Sequence, residues 1–289
     1  MTDWGAVLSI PLIQNMFLAT LAAAALCGVV GTLVVVKRIV FVSGGIAHTT
    51  FGGVGFAYWV QSTFLAFWFA PMLGAAIFGI AAAIILCIPS VSKRVREDST
   101  IGVLWVVGMA LGVIFMGLVD PASGVVPRSF ESVLFGDVLL VSGGDLKIMV
   151  AVAVAVVAII AFLYRDLQAL TFDETHARLS GMNVLAMNVL LYVLIAVTCV
   201  LAMNVVGIIL VIAMLTIPAS IAGMVSDDLG ETMAFSVAFA AVLSVVGLVA
   251  AIELDVSPGS SVTLCMGIAF IVAIAGKALA SRLARPADA

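Results

Sequence analysis

Residues 39–60 read IVFVSGGIAHTTFGGVGFAYWV. No charged side chain interrupts this stretch, nor any position between Arg38 and Lys93. An uncharged run of that length has room for two membrane crossings of about 20 residues each. Glycine is frequent here, and at helical spacing Gly44, His48, Gly52 and Gly55 share one face. That face carries an imidazole and almost no other bulk, so it reads as a packing or pore face: small residues let a membrane helix approach its neighbours closely. Two readings of His48 stand. It is a buried histidine bonded to a neighbouring helix, or a neutral ligand pointing at a cavity and able to bind a metal ion. Ionisable groups inside membranes are functional candidates by default, yet one ligand is not a site.

The rest of the chain has the same character. Of 289 residues, 64% are hydrophobic and 10% charged, and the mean hydropathy is +1.34. No soluble core needs that much apolar surface, so the chain reads as an all-α polytopic membrane protein, one transmembrane domain over residues 1–289. The net charge of −4 says little about partners, because the charges are confined to loops. No basic patch exceeds Lys93-Arg94-Val95-Arg96, which argues against nucleic acid as a partner. Cys27, Cys87, Cys199 and Cys265 are isolated within apolar spans and read as structural thiols. The first apolar run is too long for a cleaved signal, and its basic residues follow it.

Nine spans are expected, eight if residues 130–145 or the region of Asn204 divide differently. The first is Pro11–Val36. Ser43–Val60 and Phe64–Ile88 follow, with Gln61-Ser62-Thr63 as the turn between them. Asp98 or Ser99 is placed to cap the fourth, Ile101–Val119, which carries a Gly108-x-x-x-Gly112 pair. A short interfacial or partly inserted helix is expected within residues 132–145. Leu146–Tyr164, Val184–Ala202 and Val205–Val225 come next, with a break at Asn204 and with Pro218 bending or interrupting the last of the three. Thr232–Ile252 and Ser261–Gly276 complete the set. With the N-terminus outside and the C-terminus cytoplasmic, ten basic residues face the cytoplasm and only Arg128 and Lys147 face out, as the positive-inside rule requires. The outer loops then carry seven acids, either a cation-concentrating mouth or a mirror of the inner positives.

Residues 165–183 form a polar island between two multi-span halves. Its core, Thr171–Met182, reads TFDETHARLSGM and suggests one or two short helical turns ending at a glycine cap. It is either a docking element for a cytoplasmic partner or a solvated loop. His176 and Asp173 lack a third ligand nearby and read as surface residues. The chain has no GxxxxGK[ST], HExxH or GxSxG, so it is not expected to be an enzyme. Any ATP hydrolysis must occur in another chain.

Five stretches in register carry a family likeness: Phe41–Tyr58 (FVSGGIAHTTFGGVGFAY), Glu97–Leu111 (EDSTIGVLWVVGMAL), Glu131–Asp145 (ESVLFGDVLLVSGGD), Leu170–Gly181 (LTFDETHARLSG) and Asn204–Ala222 (NVVGIILVIAMLTIPASIA). The chain resembles the membrane permease subunits of ABC importers for divalent metals such as zinc, manganese or iron. The resemblance implies a multi-pass protein of the cell (inner or plasma) membrane, surrounded by the lipid bilayer. It implies a second copy of the chain, cytoplasmic ABC ATPase subunits and an external metal-binding protein. It makes the polar island the coupling segment, with Asp173, Glu174, Ala177 and Gly181 on the motif, and puts His48 at the family's intramembrane metal ligand. The divalent ion is substrate, and no resident cofactor is implied. In many relatives an aspartate stands four residues before that histidine. Here the position is Gly44, which leaves Ser43, Thr49, Thr50 or another span to supply further ligands. The neighbouring resemblance is to siderophore or cobalamin permeases, whose bulky substrates need a wider path. A membrane-embedded metalloenzyme would need two more ligands inside the bilayer.

Overall fold

In lipid an apolar segment can satisfy its backbone only by closing its own hydrogen bonds, and the fold follows from that. The computed structural model describes residue 5 and residues 9–88, 96–136 and 143–283. Among these are twelve α-helices, one 3₁₀ turn (Pro121–Ser123) and no strand. The helices are α1 (Pro11–Val36), α2 (Val40–Phe64), α3 (Pro71–Cys87), α4 (Glu97–Gly117), α5 (Phe130–Phe135) and α6 (Gly143–Phe162). They continue with α7 (Tyr164–Phe172), α8 (Glu174–Leu179), α9 (Val184–Val206), α10 (Ile208–Ala222), α11 (Leu229–Leu254) and α12 (Pro258–Leu283).

Each of the nine expected spans falls on a helix, and among the described residues seven helices are long and apolar enough to cross a membrane: α1, α2, α4, α6, α9, α11 and α12. α3 and α10 have 17 and 15 residues. At 1.5 Å per residue that is roughly 25 and 22 Å, short of an apolar layer about 30 Å thick. Hydropathy marked them as spans because it registers composition, and these two helices are among the most apolar in the chain.

Several boundaries move. Gln61-Ser62-Thr63 is not a turn but the last part of α2. The chain reverses over residues 65–70, starting at Leu65 (φ 50°), and the Gln61 amide reaches back to donate to the Phe69 carbonyl (3.0 Å). α4 begins at Glu97 after an Arg96 cap position, without a side-chain cap from Asp98 or Ser99. The break after α9 lies at Gly207 (φ 80°, ψ 162°), not at Asn204. α10 continues through Pro218 without interruption. Within residues 132–145 the described part is the end of the short helix α5, capped by Ser129. Residues 137–142, like Asp3, Lys93, Arg94 and Arg285, lie outside the described residues.

α1 packs against α6, α9, α10 and α11, while α2 lies between α3 and α4, and α9 joins the two groups. α1, α2 and α9 are mostly buried, whereas α4, α6, α11 and α12 turn most of their surface outward. Small residues allow these approaches in the absence of a hydrophobic drive between helices. A Cβ at Gly31 of α1, for example, would lie 2.2 Å from the Leu215 carbonyl oxygen of α10. Buried hydroxyls of Thr20, Thr32, Thr198 and Ser244 donate to carbonyls one turn earlier in their own helices, so they need no partner across the interface.

Candidate functional site

The glycine face of α2 is a backbone-to-backbone seam with α4. A Cβ at Gly55 would lie 2.4 Å from the Gly112 carbonyl oxygen, and one at Gly52 would lie 2.8 Å from that of Gly108. The Gly108/Gly112 pair is thus the other half of the seam. On the adjacent side, Gly53 meets Gly74 of α3 equally closely.

His48 sits in this seam, 7% exposed. Its ring stacks on Trp105 of α4, with centroids 4.2 Å apart and planes inclined by 18°. Nδ1 is buried without a hydrogen-bond partner. A Cβ at Gly44 would lie 3.0 Å from Trp105 Cζ3, so the indole covers the turn of α2 from Gly44 to His48. The absence of a side chain at Gly44 is what makes room for it.

The hydroxyls expected beside the imidazole are engaged elsewhere. Ser43 donates to Val40 O (2.8 Å). Thr49 donates to Gly45 O (2.7 Å) and Leu104 O (3.1 Å). Thr50 donates to Ala47 O and to Met203 Sδ (3.2 Å). Among the described residues no group of three or more His, Cys, Asp or Glu converges to hold a metal ion. Chemically, the seam offers one nitrogen lone pair in a dry, aromatic-roofed position. An ion there needs other ligand types, or ligands from beyond one chain.

Toward the far end of α2, a cavity of about 310 Å³ is lined by Tyr58, Met72, Arg128, Asp145, Met203 and Asn204, among others. The Arg128 guanidinium donates to the Asn204 carbonyl (3.4 Å) and side-chain oxygen (3.3 Å). Beside it, Gly136 (φ 79°) and Gly207 (φ 80°) touch through their backbones. The end of α5 is therefore seated on the α9–α10 break.

The polar island folds as α7 and α8. Asp173 caps α8, accepting from the backbone N–H groups of Thr175 and His176 (both 2.9 Å). Ala177 is buried. Gly181 (φ 87°) ends the helix, with the Met182 N–H donating to Ala177 O. Glu174 turns inward and pairs with Lys37, just past α1. It also accepts from Asn188 of α9 (3.2 Å). Burial alone would raise its pKa, but the hydrogen bond and charge of Lys37, with help from Asn188 and Arg178, hold the carboxyl below its usual range. Each of the four motif residues thus shapes the element. The surface it presents includes Phe172 and Leu179, the latter 82% exposed.

The structure brings Gly44, His48, Gly52 and Gly55 together, and keeps Asp173, Glu174, Ala177 and Gly181 apart from them at the α1–α2 end. Sequence reasoning missed Trp105, Lys37, Asn188, Phe172 and Leu179. Trp105 had one available signal: it lies one turn before Gly108 on the face of α4 that carries the small residues meeting α2.

Residues 9–277 match the model of the ABC 3 transport family. The chain is 35% identical over 263 residues to a probable metal transport system membrane protein of Chlamydia pneumoniae, covering 90% of this chain and 87% of that one. It is 30% identical over 267 residues to the manganese transport system membrane protein MntC of Halalkalibacterium halodurans, covering 92% and 88%. Among solved structures it is similar to PsaBC from Streptococcus pneumoniae in complex with Fab, with a TM-score of 0.81, 27% identity and 93% of each chain covered.

Proposed function

Because this chain belongs to the ABC 3 transport family, we propose that it is the transmembrane permease subunit of an ATP-driven divalent metal importer. It is a transport component and not an enzyme. Manganese comes first among zinc, manganese and iron, since the relative MntC is named for it. Two copies of the chain form the path. A pair of cytoplasmic ATPases presses on α7–α8, and an external metal-binding protein delivers the ion. The two halves alternate between outward- and inward-open states, which nucleotide can drive only by binding them unequally.

The observation that carries this reading is His48: an imidazole buried in a membrane helix, its Nδ1 without a hydrogen-bond partner among the described residues. A buried polar group without a partner is costly and asks for a reason. Three contacts each join segments that the proposed topology, N-terminus outside and C-terminus in the cytoplasm, puts on one side of the membrane; which side is which rests on the charge bias of the loops. Lys37 meets Glu174, and Lys277 reaches the Met224 carbonyl (3.2 Å), all on segments assigned to the cytoplasm. Arg128 meets Asn204 on segments assigned outside. The membrane is the cell's inner or plasma membrane.

The test is ATP-dependent uptake in proteoliposomes holding the chain, its ATPase and its binding protein, with manganese, zinc and iron offered separately. Uptake of one free ion, lost in His48→Ala with the complex still assembled, is the expected result. Uptake retained in that variant would remove His48 from the path. Stimulation by a metal chelate but by no free ion would favour a siderophore- or cobalamin-type permease.

A further inference from the structure

Glu174 lies on the segment that the permease reading gives to the ATPase, yet its carboxylate faces the membrane domain. We propose that the Lys37–Glu174 pair, gripped by Asn188, is the joint that carries movement of α7–α8 into the α1–α2 link, and so to the helix holding His48. This inference rests on the reading of α7–α8 as the ATPase-contacting element.

Three elements meet at one carboxylate oxygen. Oε1 of Glu174, the first residue of α8, accepts from Lys37 Nζ and from Asn188 Nδ2. Lys37 is the residue directly after α1, and Asn188 lies in the second turn of α9. Lys37 Nζ also donates to the Leu170 carbonyl of α7 (3.3 Å). One ammonium thus holds both short helices of the island.

Exposed ion pairs are held loosely, because two long side chains lose freedom for little gain in water. Glu174 is 45% exposed here, but the Lys37 side chain is only 9% exposed, and its ammonium is tied to the Leu170 carbonyl as well as to the carboxylate. A mostly covered ammonium with two partners on the island follows it when α8 moves. Leu167 and Leu170, both fully buried, fix α7 from below, so the island moves as one piece.

The link is built to pass the movement on. Three residues, Lys37, Arg38 and Ile39, separate α1 from α2. Arg38 has φ 63°, a left-handed conformation that a side chain of this kind rarely adopts unless its surroundings impose it. A short, constrained link has little slack. His48 lies about 12 Å along α2 from the first residue of that helix, and α9, pulled through Asn188, packs against both α2 and α3.

The experiment uses the full complex in proteoliposomes. It measures bound ATPase, ATP hydrolysis and ion uptake per ATP for wild type, Lys37→Met, Glu174→Gln and the double variant. The ATPase should remain bound to Lys37→Met while uptake per ATP falls about fivefold or more, the lower end of an ordinary coupling energy. Glu174→Gln should fall in the same direction. The double variant should be no worse than Lys37→Met, because residues acting as one unit are not additive. Glu174→Gln, nearly isosteric, keeps the test open if Lys37→Met does not assemble. An unchanged ratio in the single variants would overturn the joint, as would defects that multiply in the double. So would a Glu174→Gln defect fully explained by lost ATPase. If wild type itself neither stimulates the ATPase nor takes up ion, the permease reading fails instead.

Discussion

Gly55→Ala separates a packing seam from an open path. Ordinary carbon–oxygen contact begins near 3.4 Å, and the new methyl would start 2.4 Å from the Gly112 carbonyl oxygen and 2.9 Å from Gly112 Cα. The obstruction is helix backbone, so no rotamer can relieve it. α4 must move away from α2 by about an ångström, which loosens dispersion contacts along the whole seam. Overpacking of this kind costs about 1–3 kcal/mol, and the upper part of that range applies where the blocking atoms are main chain. Replacing a helical glycine returns roughly 0.5–1 kcal/mol, leaving a net loss of about 2 kcal/mol. In a thermal-unfolding assay in nanodiscs that corresponds to a fall of roughly 5 °C. Gly102→Ala on the same α4 is the control, since nothing lies within 4 Å of its added Cβ. It should leave the melting temperature unchanged or raise it. A Gly55→Ala protein as stable as wild type would refute the seam and return this face to the open path.

Gly207→Ala should destabilise by about 2–4 kcal/mol in the same assay, because it combines φ 80° with a Cβ placed 2.2 Å from Gly136 N; near-wild-type stability would mean that α5 is not seated on the α9–α10 break. Leu179→Glu should leave the melting temperature alone, being 82% exposed, yet abolish copurification of the ATPase; full retention would take Leu179 out of the docking surface. The pKa of Glu174 is lowered in the folded state, so its pair contributes stability above the ordinary value of 4.5 and loses it as pH falls through the folded value. With Glu174 half exposed the contribution is at most about 1 kcal/mol. The melting difference between wild type and Glu174→Gln should therefore be constant near neutrality and vanish in acid; a difference that grows on acidification would contradict the pairing.

How far the fold could be read from the sequence depended on which physical constraint was local. Helix positions were legible because membrane burial demands long uncharged runs, and composition alone reports them. Helix ends were less so. Gln61, Ser62 and Thr63 look like a turn, but polar side chains at the edge of a membrane helix can serve the loop beyond it, as Gln61 does for Phe69. Asn204 marked the right neighbourhood for the α9 break. The residue that makes the break is Gly207, because the required φ is positive and glycine adopts it without strain. The shortness of α3 and α10 was hidden by their apolarity, since hydropathy does not see the positive-φ residues, Leu65 and Gly207, that end the helices before them.

The candidate site was legible by residue type but not by pairing. A lone histidine among glycines announces a crowded seam, and the seam is there. What fills it depends on α4, more than 50 residues away in sequence. One turn before the histidine stands Gly44, and the indole of Trp105 occupies the space that a side chain would take. The group standing there sets the physics of the position. A carboxylate beside the imidazole would hold a cation by charge. An indole stacked on it excludes water and supplies only a polarisable face. The polar atom left behind, Nδ1, has no hydrogen-bond partner among the described residues. A permease that uses His48 must then move Trp105 before an ion can reach that nitrogen, and must find the remaining ligands outside the α2–α4 seam. The same seam that makes His48 inaccessible at rest thus makes access to it depend on α4 shifting against α2, a movement that an alternating pair of halves can supply.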